Sequence, residues 1–128
     1  MMTKKIIKTD KSPSAIGPYS QGIVSGGMLF TAGQLGIDAE TGLFVCDTAS
    51  GQAVKALDNA KAVIEAGGMT LDDVVKVTVF LRDMNDFVSV NEVYSQVFTE
   101  NPPARSAVEV ARLPIDAAVE IEMICVKQ

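Results

Sequence analysis

The chain has 128 residues, a length for one domain, and is 48% hydrophobic but only 5% aromatic, so aliphatic side chains and alanine must fill its core. Its formal net charge of −5 gives no global attraction to nucleic acid or anionic lipid. The absence of histidine removes Ser-His-Asp triads, Cys-His pairs, histidine metal ligands and imidazole bases together.

The start, Met1-Met2-Thr3-Lys4-Lys5-Ile6-Ile7-Lys8, is basic but lacks a long apolar region, which argues against a signal peptide. No apolar run approaches the roughly 20 residues of a membrane-spanning helix. A cytoplasmic location is therefore expected. Lys4–Lys8 suits a short first strand. Gln21–Ser25 and Met28–Ala32 flank Gly26-Gly27, which supplies the positive φ angles of a two-residue hairpin turn. Gly33-Gln34-Leu35-Gly36 has the spacing of a G-x-x-G nucleic-acid clamp but lacks flanking lysines and a following helix, so it reads as a loop. Asp38-Ala39-Glu40-Thr41-Gly42 is a turn. Cys46 and Cys125 form no C-x-x-C pair, and Cys125 falls in an apolar strand, where it reads as a small buried hydrophobe.

A long helix follows. Thr48 is its N-cap, and Ala53, Leu57, Ala60 and Ile64 recur at helical spacing, with Val54, Ala56 and Val63 widening the stripe. Lys55, Asp58, Lys61 and Glu65 lie toward the polar side. Gly67-Gly68 ends the helix, because glycine takes the left-handed cap conformation without penalty. Thr70-Leu71-Asp72-Asp73 launches a strand in which Val75, Val77, Val79 and Leu81 point one way and Lys76, Thr78, Phe80 and Arg82 the other. The two aspartates are acidic residues at a turn start rather than a metal site. Asp83-Met84-Asn85-Asp86 lacks the glycine and distal glutamate of a calcium loop, and Asn85 or Asp86 is expected to cap a second helix. Phe87, Val90, Tyr94 and Val97 form its apolar stripe, and Asn101-Pro102-Pro103 stops it. Strands around Arg105–Val110 and Ala118–Val126 complete the chain. Lys55, Lys61 and Lys76 are candidate Schiff-base lysines only in principle, since no burial signal marks them.

This order predicts a single α+β domain over residues 1–128, a mixed sheet with two helices on one face. The other face, bearing Thr78 and Phe80, is either wet or covered by another copy of the chain. Arg105 enters an alternating, apolar strand with a planar fork that matches a carboxylate. It shares a side with Ala107 and Glu109. Glu120 and Glu122 share a side with Ile124 and Val126, and a carboxylate on a half-apolar strand needs a partner or a use. An Arg105–Glu120 salt bridge is the bland account of the pair; a substrate is the other.

Several segments together carry a resemblance: Ile16-Gly17-Pro18-Tyr19-Ser20-Gln21-Gly22, Thr31-Ala32-Gly33-Gln34, Val90-Asn91 with Tyr94, the Pro103-to-Pro114 run, and Glu120-Ile121-Glu122. In order and nearly end to end, they resemble the Rid family of reactive-intermediate (enamine/imine) deaminases, also known as L-PSP endoribonucleases. The resemblance implies a chorismate-mutase-like fold and a homotrimer with sites between subunits. It implies hydrolysis of 2-imino acids such as 2-iminopropanoate and 2-iminobutanoate to 2-keto acids and ammonia, with no cofactor and no metal. Arg105 would grip the substrate carboxylate and Glu120 would hold or activate water. Tyr19, Gly33 and Asn91 would line the pocket. The family often has cysteine where Ala107 stands, which excludes a thiol nucleophile here and leaves a role for the backbone carbonyl. It also often has serine or threonine at Ala32 and proline after the Gly-Gln pair, so substrate range is the property these departures touch. The rival classes are a non-enzymatic, small-carboxylate-binding regulatory trimer and an L-PSP-type endoribonuclease.

Overall fold

The computed structural model describes residues 3–128; Met1 and Met2, at the head of the basic start, lie outside them. The hairpin forms as its glycines require. Strands β1 (Lys5–Ile7), β2 (Gly22–Ser25) and β3 (Met28–Thr31) run antiparallel, and the β2–β3 turn places Gly26 at φ 60° and Gly27 at φ 78°. These are the two positive angles of a turn whose twist matches its strands. Asp38 Oδ1 accepts from the N–H of Glu40 and Thr41, closing the next turn.

Helix α1 (Ala49–Ala66) is capped by Thr48, whose hydroxyl accepts from Gly51 N–H at 3.2 Å. Ala53, Ala56, Leu57, Ala60, Val63 and Ile64 are buried, but Val54 is 55% exposed and falls outside the stripe. Gly68, at φ 85°, takes the left-handed position after the helix end. Thr70 and Asp73 then form a capping box around the turn Leu71–Asp73. Asp73 also accepts from the backbone of Gln128, and these bonds from Thr70 and Gln128 hold its carboxyl below the usual range.

Strand β4 (Val74–Leu81) alternates as expected from Val77 onward. A bulge between Val74 and Lys76 breaks the start: Val74 is buried and Val75 faces solvent. The second helix, α2 (Phe87–Val97), is preceded by a single turn, Met84–Asp86, and the capping side chain is Asp83, accepting from Asn85 N–H. Asp86 occupies the cap position of α2 with no side-chain hydrogen bond. Strands β5 (Ala104–Glu109) and β6 (Val119–Val126) complete a six-stranded sheet in the order β1-β2-β3-β6-β4-β5. Only β4 and β5 run parallel.

The core lies between α1 and one sheet face, where Val77, Val79 and Leu81 of β4 meet Val119, Ile121, Met123 and Cys125 of β6. Burial pushes the Cys125 thiol up to about 12, so it acts as a small apolar side chain. Val90 and Tyr94 of α2 join the same core. The opposite face carries Phe30, Thr78, Phe80, Glu120, Glu122 and Ile124, all partly exposed in the single chain. No helix among the described residues is long and apolar enough to cross a membrane.

Candidate active site

Register decides where the candidate side chains go. Arg105 pairs with Val77 and Ala107 with Val79, so both point to the helix-covered face. Glu120 pairs with Phe80 and points to the helix-free face. Arg105 and Glu120 therefore lie on opposite sides of the sheet within one chain, and the salt bridge between them does not form. The one ion pair among the described residues is Arg82–Asp116, at 3.3 Å.

Around Arg105 every partner is neutral. Its Nη1 donates to Asn91 Oδ1 at 2.6 Å. The guanidinium carbon lies 4.6 Å from the centre of the Tyr94 ring and 5.4 Å from that of Phe87. Phe87, Asn91 and Tyr94 stand one helical turn apart along α2 and present one face to the fork. The two rings and the Asn91 hydrogen bond together seat the guanidinium against α2. Burial raises the Tyr94 phenol, with the Arg105 charge opposing, so the ring is a neutral support. A concavity of about 340 Å³ opens here, lined by Asn91, Tyr94, Phe98, Pro103 and Arg105.

Ala107 follows on the same strand, and β5 is the sheet edge. Val110 N–H donates to Leu81 on β4 at 2.9 Å. Backbone groups alternate sides along a strand, so the carbonyl of Ala107 faces the open edge. The departure from cysteine at this position leaves that acceptor in place.

Glu120 sits in a separate cavity of about 600 Å³ with Tyr19, Ala32, Gly33, Leu35 and Ile115. Gly33 arrives because Gln34 pairs with Ile121, exchanging N–H and C=O bonds of 2.8 and 3.0 Å. A Cβ at residue 33 would overlap the Glu120 side chain, so glycine there lets the carboxylate lie against the backbone in this conformation. Among the described residues nothing donates a hydrogen bond to that carboxylate. Burial pushes the Glu120 carboxyl up, and the charge of Glu122 adds to the effect. A carboxyl raised in this way holds its proton more tightly than a solvated glutamate does.

Three buried amides, none of them singled out by the sequence pattern, hold the walls. Gln21 Nε2 donates to the carbonyls of Thr9, Ser12 and Pro13, while its Oε1 accepts from Thr9 N–H at 2.7 Å. That fixes the loop leading to Tyr19, which is itself half exposed, with its hydroxyl accepting from Ile16 N–H at 3.4 Å. From α1, Asn59 donates to the carbonyls of Leu35 and Ile37, and Gln52 accepts from Ala118 N–H two residues before Glu120. A further concavity of about 680 Å³, along β1 and the following loop, holds neither Arg105 nor Glu120. Among the described residues no three His, Cys, Asp or Glu side chains converge as metal ligands would.

Within one chain, the Arg105 guanidinium and the Glu120 carboxylate thus stand in separate places, the first with no acidic partner and the second in a largely apolar cavity with no cation among the described residues.

Comparison with known proteins bears on both. A family model described as endoribonuclease L-PSP matches residues 9–127. A RutC family protein of Pyrococcus abyssi is 51% identical over 127 residues, covering 99% of this chain and 100% of that protein. The 2-iminobutanoate/2-iminopropanoate deaminase of Escherichia coli K12 is 50% identical over 127 residues, covering 97% and 98%. The crystal structure of Escherichia coli TdcF with bound serine matches with a TM-score of 0.92 at 46% identity, covering 97% of this chain and 99% of that one.

Proposed function

The chain belongs to the endoribonuclease L-PSP family, the Rid family of its sequence motifs, and from that premise we propose that it is a hydrolytic deaminase of small 2-imino acids, working as a homotrimer in the cytoplasm. The observation that carries this reading is Arg105, a guanidinium seated by neutral partners with no carboxylate among the described residues of its own chain to satisfy it. Such a fork is set for the carboxylate of a ligand.

The two places make one site when the Arg105 edge of one subunit meets the Glu120 face of the next. Two different patches in contact make a heterologous interface, which closes into a ring when the rotation between copies returns to the first. Three copies form that ring, with three sites, and the contact covers the helix-free sheet face.

In each site Arg105 binds the carboxylate and so fixes the C2 carbon beside Glu120 of the neighbouring subunit. The Ala107 carbonyl accepts a hydrogen bond from the protonated imine nitrogen. Glu120 takes a proton from water as the water oxygen bonds to C2, giving a tetrahedral carbinolamine. It then returns the proton to nitrogen. The C–N bond breaks and ammonia leaves, while the carbinolamine hydroxyl gives its proton to the Glu120 carboxylate and the C=O of the 2-keto acid forms. The imine carbon is already electrophilic, so the chain needs no thiol, metal or cofactor for this step. Serine, found bound in TdcF, shares with that intermediate a carboxylate and a nitrogen on one tetrahedral carbon. Nuclease chemistry is not favoured: the chain is acidic and has no histidine to serve as acid or base.

The test is the decay of freshly generated 2-iminopropanoate with and without protein, beside light scattering at micromolar concentration. Accelerated decay and a particle of roughly three times the 13.6 kDa chain are expected. No acceleration would overturn the deaminase. A monomer with full activity would overturn the shared site.

A further inference from the structure

Pro114–Asp116, the turn before β6, holds two consecutive residues in the left-handed region: Ile115 at φ 47° and Asp116 at φ 58°. A β-branched residue there is a genuine outlier, because its Cβ substituents crowd the backbone. Such strain persists only where surrounding contacts over-determine it. Here they do. Arg82 Nη1 donates to the carbonyl of Asp116 at 2.9 Å and pairs with its carboxylate, while Arg82 N–H donates to Ala118 O at 3.0 Å. Asp116 N–H and Ala117 N–H close the turn onto Leu113 and Pro114.

Nothing inside the fold accounts for the side chain so displayed. Ile115 is 65% exposed, so its strained backbone gains no core packing. It stands instead at the wall of the cavity that holds Glu120 and Gly33.

We propose that Ile115 determines substrate specificity, forming the apolar wall against which the alkyl chain of a longer, branched 2-imino acid packs. The inference rests on the deaminase reading. The C2 carbon of such a substrate has three arms. Arg105 takes the carboxylate, and Ala107 and the Glu120-held water take the nitrogen and the attack. The third arm is alkyl, and the apolar walls of the cavity are Pro13, Ile16, Ala32, Leu35, Ile37, Pro114 and Ile115, of which Ile16 is more exposed still but has no strained backbone. Ala32 is small, and Leu35 and Ile37 are half-buried on a loop pinned by Asn59. Ile115 alone among them is both largely exposed and held in place against its own backbone preference. The Arg82–Asp116 contacts make Arg82 a positioning residue for this wall.

The test uses imines generated in place by an amino-acid oxidase from leucine and from alanine. Asparagine tolerates the left-handed region, so Ile115→Asn keeps the turn while removing the apolar surface. The ratio of kcat/KM for the leucine-derived over the alanine-derived imine is expected to fall about tenfold, the order of a lost apolar contact in a specificity pocket. Ile115→Gly relieves the strain and should give the same fall without loss of thermal stability. Arg82→Met should move the ratio in the same direction by loosening the turn. An equal loss on both imines would overturn the proposal, as would a smaller particle by light scattering, which would make Ile115 an interface residue. Wild-type protein that hydrolyses the alanine-derived imine alone sinks only this inference; wild-type protein that hydrolyses neither sinks the deaminase reading as well.

Discussion

Replacing Arg105 with lysine should reduce kcat/KM for 2-iminopropanoate on the order of a hundredfold to a thousandfold and weaken pyruvate binding alongside it. Lysine keeps the charge but loses the planar fork, so it cannot grip both carboxylate oxygens in one plane. It also loses its seat. The Tyr94 ring 4.6 Å away and the Asn91 bond of 2.6 Å suit a flat guanidinium, not a tetrahedral ammonium. Because Arg105 makes no ion pair among the described residues, the substitution breaks none of theirs. The proposed trimer should survive it. Wild-type rates and pyruvate affinity in Arg105→Lys and Arg105→Ala would show that this arginine only packs against α2.

Glu120→Gln should behave differently. The amide has nearly the carboxylate's shape but cannot take a proton. Turnover should fall toward the low end of the roughly 10²–10⁴-fold range of acid–base catalysis, since water attacks an imine readily by itself. Pyruvate binding, measured by calorimetry, should persist because Arg105 still holds the carboxylate. The pH profile carries the sign. Burial, and then the Glu122 charge, raise the Glu120 carboxyl above the usual glutamate range. The charged form is the base, so wild-type turnover should drop as pH falls through that raised value, and the variant should lose this limb. Stability runs the other way. A carboxyl with a raised pKa binds its proton more tightly folded than unfolded, so its contribution worsens as pH rises from the unfolded to the folded value. At neutral pH, Glu120→Gln should therefore melt no lower than wild type. A lower melting temperature with unchanged single-turnover decay would remove Glu120 from the chemistry and make it a structural residue.

Local rules were enough for most of the fold. Gly26-Gly27 turns the hairpin, Thr48 caps α1, and the Ala53-Leu57-Ala60-Ile64 stripe faces the sheet. The sequence pattern misplaced Val54 and Val75, apolar residues that the helix angle and the β4 bulge turn outward. It also left Arg105 and Glu120 free to pair, because each strand's alternation is readable but the register between strands is not. Only the pairing of Arg105 with Val77 and of Glu120 with Phe80 puts them on opposite faces. The amides of Gln21, Gln52 and Asn59 escape notice for a related reason. A polar residue on a helix or strand looks solvated until the loop carbonyl it meets, 22 residues away for Asn59 and Ile37, is in place. Arg105, Glu120 and Gly33 could be picked out from motifs as candidates; the placement of Arg105 and Glu120 on opposite faces required the sheet.

That placement gives the central claim its sharpest test. Arg105→Ala and Glu120→Gln subunits, each inactive or nearly so alone, are mixed by co-refolding in equal amounts and assayed on 2-iminopropanoate. If each site takes Arg105 from one subunit and Glu120 from the next, mixed rings regain sites with both residues intact, about a quarter of all sites at random assortment. Activity near that fraction of wild type is the expected result. Activity that stays at the sum of the two parents, in particles shown to contain both subunits, would contradict a site shared between copies.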